Sequence, residues 1–595
     1  MKNRILIWLC IFSGMLLLLW GCGPVFDDVS VDQSTDTPIG TSVSTTAFDN
    51  QGTTVGQADA LTTSPANSTT VGGSTTTTGT SKGEDTTVEG YAFLRPASVF
   101  ADGMVLQQSA PVPVWGQGEP GKTVIVTLKK SDKTVEQKSA TVGKDKLFYV
   151  ELSSVKGSFD AYTLTISCDE TNFEYEDVLF GDVFLAAGQS NMVLSVRYCA
   201  DRNQTLKEAT NPYLRFARVY RMDDGVHTIR QKQPQETADV TWVKGNNKTA
   251  VDEASALAYH FIRNIYLKTG EKYPVAFVDI SYGGVPIETF LSRSQLDSLP
   301  KSKKILAAEG WTYSRWGTHG TQNHMEPTGL YNERVYPIRH LKFKGMIWYQ
   351  GESNLGTQEK CDAYIPAFEA LCKGFGELFG MDGKTLPTVY AMLAPFNYAG
   401  WGSGISLGLP QFWEAQHKSA LVNHDTMREV PIYDLPLDYI PTEVPDEYMV
   451  GAVFDPIHPI HKIEVAQRMA TAAMDLIYKS GSRYIPPYPT DYTVEGNRLI
   501  VEFASVTPLR TINGKTLRGF SICGADRRFV AAKAELIGGN KVAVYADGIA
   551  SPVAVTYAFT DLNNGANLCD SSGLPAVPFR SDTEKSQYNL DEIKK

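Results

Sequence analysis

Gly181-Asp182-Val183-Phe184-Leu185-Ala186-Ala187-Gly188-Gln189-Ser190-Asn191-Met192 is the stretch from which the fold is read. Val183 to Ala187 is an unbroken apolar run, which suits a strand buried on both faces of a parallel sheet. The polar turn that follows lies at the carboxyl end of that strand, where open α/β sheets bind ligands. Further apolar runs follow at Val275–Ile280, Gly345–Tyr349 and Thr388–Leu393. Ala254, Leu257, Ala258, Phe261, Ile262, Ile265 and Tyr266 keep a helical period, as do Val465, Met469, Ala470, Ala473, Met474 and Ile477. Strands alternating with helices predict an α/β domain with a parallel sheet over 179–482. Before it, Met104–Leu106, Val112–Trp115, Val124–Leu128, Phe148–Leu152 and Tyr162–Ile166 are short β-type runs separated by turns. They predict an N-terminal β-sandwich-like domain over 91–178. After Pro486, Pro487 and Pro489, the runs Leu499–Phe503, Val542–Tyr545 and Val553–Tyr557 predict a C-terminal β-domain over 483–595.

A chain of 595 residues is too long for one core, which agrees with several domains. The formal net charge of -11 argues against a nucleic-acid partner and against docking on anionic lipid. Lys2 and Arg4 precede an apolar run from Ile5 to Trp20, the pattern of a secretory signal. The run ends in Gly21-Cys22, and a small residue before Cys is the pattern of a bacterial lipobox. Residues 1–22 are therefore expected to be a lipoprotein-type signal with Cys22 lipidated, an uncleaved anchor or plain secretion being the alternatives. All three place the body outside the cytoplasm, extracellular or at the cell surface, and the lipoprotein reading gives it a membrane tether at its N-terminus. Residues 23–90 are rich in Ser, Thr and Gly without apolar period, as expected of a disordered linker. Six of the eight Cys lie outside the signal, none in a CxxC pair or a Cys/His metal spacing. They read as buried apolar thiols, with or without one disulfide among them, and no metal site is expected.

Four segments can carry chemistry. Ser190 follows the first buried strand, where a nucleophile would meet backbone N–H donors; a helix N-cap is the structural alternative. Gly283 and Gly284, in Ser281-Tyr282-Gly283-Gly284, follow the second strand and let the backbone approach a ligand closely; a tight turn would use them too. Gln350 and Asn354, in Trp348-Tyr349-Gln350-Gly351-Glu352-Ser353-Asn354, bring amides to the same sheet edge. Amides are good oxyanion donors, and also good at satisfying a loop's own backbone. Asp455-Pro456-Ile457-His458-Pro459-Ile460-His461-Lys462 precedes the last helix and offers a base with a carboxylate three residues away. Each signal alone is weak. Together they are the parts of an acyl-transfer site: nucleophile, oxyanion donors, base and orienter.

At these residues the chain resembles the sialate O-acetylesterase family within the SGNH-hydrolase superfamily. The similarity covers nearly all of 97–582. It is carried by Ser98-Val99-Phe100-Ala101-Asp102-Gly103-Met104-Val105-Leu106-Gln107 and Val112-Pro113-Val114-Trp115-Gly116. It continues through the Ser190 block, Pro327-Thr328-Gly329-Leu330-Tyr331-Asn332, the Gln350 block, Gly524-Ala525-Asp526 and Gly573-Leu574-Pro575-Ala576-Val577-Pro578-Phe579-Arg580. The resemblance implies an SGNH-type parallel sheet with helices on both faces, flanked by β-sandwich-like domains. It also implies Ser190 as nucleophile, His458 as base, and Gly284 and Gln350 as oxyanion contributors beside Gly283 and Asn354. Many members place the acid two residues before His. Here that position is Pro456, so Asp455 is the expected acid, with Asp434 or a backbone carbonyl as alternatives. The implied reaction is removal of an O-acetyl group from a sugar through an acyl-enzyme, with no cofactor. O-acetylated sialic acid is the expected substrate, which asks for a cation to meet its carboxylate; Arg293 and Arg315 are the candidates. Acetylated xylan, or carbohydrate binding without catalysis, are the competing readings.

Overall fold

The computed structural model describes residues 93–220, 222–223, 226–227, 233–311, 325–398, 408–436, 457–562 and 565–582. The expected signal with Cys22 and the expected linker lie outside them, as do Asp455 and Arg315. No helix among the described residues is long and apolar enough to cross a membrane.

The central sheet is built on β1 (Thr171–Gly188), β2 (Leu214–Tyr220), β3 (Asp239–Lys244), β4 (Val275–Asp279), β5 (Gly345–Tyr349), β6 (Thr388–Ala391) and β7 (Met427–Val430). Their order along the sheet is β3-β2-β4-β1-β5-β6-β7. All neighbours are parallel except β3, which closes one edge antiparallel to β2. Every residue of β4, β5 and β6 is buried, as their continuous apolar runs require of strands covered on both faces. β1 lies between β4 and β5, with Ala186 opposite Asp279 and Gly188 opposite Tyr349. The three strands thus end at one edge. The chain leaves β1 between strands that follow it much later in sequence, so the turn after Gly188 sits at a topological switch point.

Helices α1 (Ser190–Val193), α2 (Ala256–Lys268), α3 (Gln358–Phe379), α4 (Gly408–Val422) and α5 (Lys462–Leu476) complete the layers that bear on the site. α2 packs with α5, and α3 with α4. Ser255 caps α2 by accepting the N–H of Ala258, and Leu257, Phe261, Ile262 and Ile265 are buried. Burying each of those side chains contributes about 1.5–3 kcal/mol, which is why the helical period seen in the sequence holds this helix to the sheet. Phe261 meets Phe184 of β1 edge to face at 5.0 Å between ring centroids.

The boundary expected between 178 and 179 falls inside β1. Its first half pairs with Ser158–Cys168 of the N-terminal β region, and its second half is the central strand of the α/β sheet. The two regions therefore share a strand. Among the described residues, the C-terminal region forms two four-stranded antiparallel sheets and a two-stranded ribbon. It is fastened to the α/β layer by Tyr433 Oη donating to Ala576 O at 2.7 Å and by Arg580 paired with Glu414 at 2.9 Å. All six cysteines among the described residues are free thiols, so no disulfide joins them.

Candidate active site

Ser190 opens the short helix α1 directly after Gly188, and its side chain is half-buried. Gly188 has φ +143, and a Cβ there would stand 2.2 Å from Tyr349 O. Only glycine lets β1 and β5 approach this closely before the chain turns to present the serine. The turn after β4 comes over the same place: a Cβ on Gly283 would lie 3.8 Å from Ser190 Cβ. Gly284 takes φ +71, again a glycine conformation. The N–H groups of Gly283 and Gly284 donate to no acceptor among the described residues. They are half-buried beside the serine and suited to an oxyanion.

Gln350 and Asn354 take a different role from the one expected. Gln350 is wholly buried, and its Nε2 faces Asn354 Oδ1 at 2.7 Å, Val285 O at 3.1 Å and Gln189 Oε1 at 3.2 Å. Two amide hydrogens facing three internal acceptors leave none for a reacting carbonyl. Asn354 Oδ1 also accepts the N–H of Ile287 at 2.8 Å, while its Nδ2 donates to Glu288 Oε2 at 2.8 Å. These amides staple the turn after β4 to the loop after β5. Gln189 is held in the same way, its Oε1 accepting also from the N–H groups of Gly351 and Ser353.

His458 is 4% exposed and lies in the loop before α5. Asn191 brings that loop to the serine: its Nδ2 donates to Ile457 O at 2.9 Å and to Glu352 Oε1 at 2.6 Å. Its Oδ1 accepts from Lys462 Nζ at 2.7 Å. One amide, itself 1% exposed, thus ties the residue after Ser190, the residue before His458, the loop after β5 and the start of α5. Lys462 lies over the Tyr349 ring at 5.2 Å, and burial pushes its pKa down to about 8. Burial raises the carboxyl of Glu352, against the Asn191 hydrogen bond that lowers it. Asn191, Glu352 and Lys462 all stand inside motifs visible in the sequence; that they meet was not legible there.

Of the alternatives for the acid, Asp434 is engaged elsewhere, in a two-pronged pair with Arg468 at 2.7 Å on each prong. Arg293 lies on the surface, over half exposed and paired with Asp297 at 3.6 Å, so it is no carboxylate receptor in a pocket. One cluster of metal-ligand type was not anticipated. The ligating atoms of Asp201, His461 and Glu464 lie within 4.8 Å of one another. His461 and Glu464 follow His458 in the chain, and Asp201 joins them from the residue before Arg202.

Residues 180–407 match the family described as carbohydrate esterase, sialic acid-specific acetylesterase. The human sialate O-acetylesterase is 27% identical over 531 residues, covering 82% of this chain and 92% of the relative. The Rattus norvegicus sialate O-acetylesterase is 28% identical over 432 residues, covering 65% of this chain and 74% of the relative. Among solved structures, a carbohydrate acetylesterase from Xanthomonas citri superposes with a TM-score of 0.68 at 27% identity. That match covers 82% of this chain and 99% of the other. Residues 180–407, which carry Ser190, thus match the sialic acid-specific acetylesterase family, and the chain is a carbohydrate O-acetylesterase.

Proposed function

We propose that this carbohydrate O-acetylesterase removes acetyl groups from O-acetylated sialic acids, with Ser190 as nucleophile and His458 as base. The observation that carries the reading is the Asn191 bridge, 2.9 Å to Ile457 O, which joins the residue after the serine to the residue before the histidine. In the proposed cycle His458 takes the Ser190 proton and Oγ attacks the acetyl carbonyl carbon. The backbone N–H groups of the Gly283-Gly284 turn receive the oxyanion, each well-placed donor contributing about 3 kcal/mol. His458 then returns the proton to the departing sugar oxygen, and water activated by the same imidazole releases acetate from Ser190. Asp455, three residues before His458, is the proposed orienter of the imidazole. The sialate preference rests on the relatives' substrate and on an acidic-sugar receptor argued below.

The lipid attachment at Cys22, the tether over 23–90 and the cell-surface location belong to the same proposal. They are supported by Lys2, Arg4, the apolar run and Gly21-Cys22.

Acetate release from a panel of O-acetylated sialic acids and acetylated xylo-oligosaccharides tests the reading. Faster release from the sialic acids is expected and should vanish in Ser190→Ala. Equal or faster release from neutral xylo-oligosaccharides would make the protein a general polysaccharide deacetylase.

A further inference from the structure

Arg334 stands out among the buried cations. It lies in a π-helical turn, Tyr331–Val335, of the kind that recurs at functional sites, and is only 2% exposed. A buried guanidinium is ordinarily paired with a carboxylate, because desolvating it alone is costly. Arg334 forms no ion pair with any described residue. Its Nη1 donates to Ser281 O at 2.6 Å, and the guanidinium carbon lies 5.0 Å from the centre of the Tyr282 ring. Asp279 and Glu333 act on it from beyond ion-pair distance, and Arg218 opposes them. Asp279 cannot serve as its partner: Oδ1 is taken by the N–H and O–H of Ser281, and Oδ2 lies 4.0 Å from Arg218 Nε. The Nε–Nη2 edge of Arg334, the edge that grips a carboxylate with two parallel bonds, donates to no described residue. Burial with so little compensation lowers its pKa to about 10.

The location gives this edge its meaning. Ser281 and Tyr282 lead straight into Gly283, the residue that comes over Ser190. From Ser281 to Gly283 the chain spans at most about 7 Å, and the Tyr282 N–H donates to Gly188 O at 3.1 Å, so Arg334 is anchored on the turn that lies against the nucleophile's own turn. We propose that the free edge of Arg334 receives the carboxylate of the acidic sugar whose acetyl ester Ser190 attacks. The proposal rests on the esterase reading above and adds the residue that would select an acidic over a neutral substrate.

The test compares an O-acetylated sialic acid with its C1 methyl ester, which keeps the acetyl group and loses the charge. For the wild-type protein KM should be lower for the acid by about 10- to 100-fold, the usual worth of hydrogen bonds to a charged group. Arg334→Met should raise KM for the acid to that for the ester, while Arg334→Lys should restore part of the difference. p-Nitrophenyl acetate and the methyl ester, which have no carboxylate, should change kcat/KM by one common factor in each variant, so that the Nη1 hold on Ser281 O is read apart from the extra loss that only the acid suffers. The ester comparison needs no variant, so it decides even if Arg334→Met does not fold. Equal wild-type KM for acid and ester, or an acid preference that survives in Arg334→Met, overturns the proposal with esterase activity intact. Failure of the wild type on p-nitrophenyl acetate and on both sugars would instead overturn the esterase reading, and this proposal with it.

Discussion

Replacing Asn191 with alanine probes the joint on which the site depends. The change removes a hydrogen bond to Glu352 at 2.6 Å, one from Lys462 at 2.7 Å and one to Ile457 O at 2.9 Å. Bonds to charged groups contribute about 1.5–3 kcal/mol each and a neutral one about 1, a sum of about 4–7 kcal/mol. The three share one network, so that sum is an upper bound, and a loss of about 3–5 kcal/mol is expected. The Ile457 loop then loses its tie to the serine turn, and a displacement of about 1 Å at His458 is enough to cost about 100-fold in kcat. Urea denaturation measures the first effect, and acetate release from p-nitrophenyl acetate the second. KM for that small ester should change little, since Asn191 is placed to hold the site together and not to bind substrate. A variant with wild-type kcat and a stability within about 1 kcal/mol of wild type would refute the reasoning, because it would leave Asn191 no structural task.

His458→Ala should lose as much kcat as Ser190→Ala, about a thousandfold or more, and the double variant little beyond either, since the two act as a unit. A multiplicative loss in the double variant would show independent roles. Lys462 has a folded-state pKa of about 8 against 10.5 unfolded, so the unfolded chain binds more protons between those values and stability rises with pH there. Below pH 8 the burial costs about 3 kcal/mol, and the difference in stability between wild type and Lys462→Met should change by that amount from pH 8 to 10.5. A pH-independent difference would refute the assigned burial of charge. Cys22→Ser should release the protein from membranes or block processing, read by mass spectrometry of the mature N-terminus; an unchanged lipidated product would remove Cys22 from the proposal.

The strands that carry the site were legible because burial on both faces writes a continuous apolar run: Val275–Asp279 and Gly345–Tyr349 are such runs and are strands. β2 and β7 were not legible. Leu214–Tyr220 carries Arg215 and Arg218, and Met427–Val430 is four residues long with two charges. Their charges are accommodated by partners distant in the chain: Arg215 by Asp177 at 2.9 Å, and Arg428 by Asp475 at 2.8 Å. The continuity of β1 was hidden for a related reason. Its first half alternates half-buried and exposed residues, as in a β-sandwich, and its second half is wholly buried, so one strand read as two domains. At the site, residue type singled out Ser190, the Gly283-Gly284 turn and His458 as candidates, and the fold brings the turn over Ser190 and ties the residue before His458 to Asn191. The amides were read as oxyanion donors because a motif shows which groups are present, whereas only the fold shows that Gln350 Nε2 already faces three acceptors. Arg334 escaped notice for the same reason, since an unpaired buried cation is defined by what surrounds it.

The central claim is that Ser190 forms the acyl-enzyme. Treating the protein with a fluorophosphonate, then mapping the adduct by peptide mass spectrometry alongside acetate release, tests this directly. The account predicts one adduct, on Ser190, with activity lost in proportion to labelling and no labelling of Ser190→Ala. An adduct on another residue that tracks the loss of activity, or full acetate release by Ser190→Ala, would contradict it.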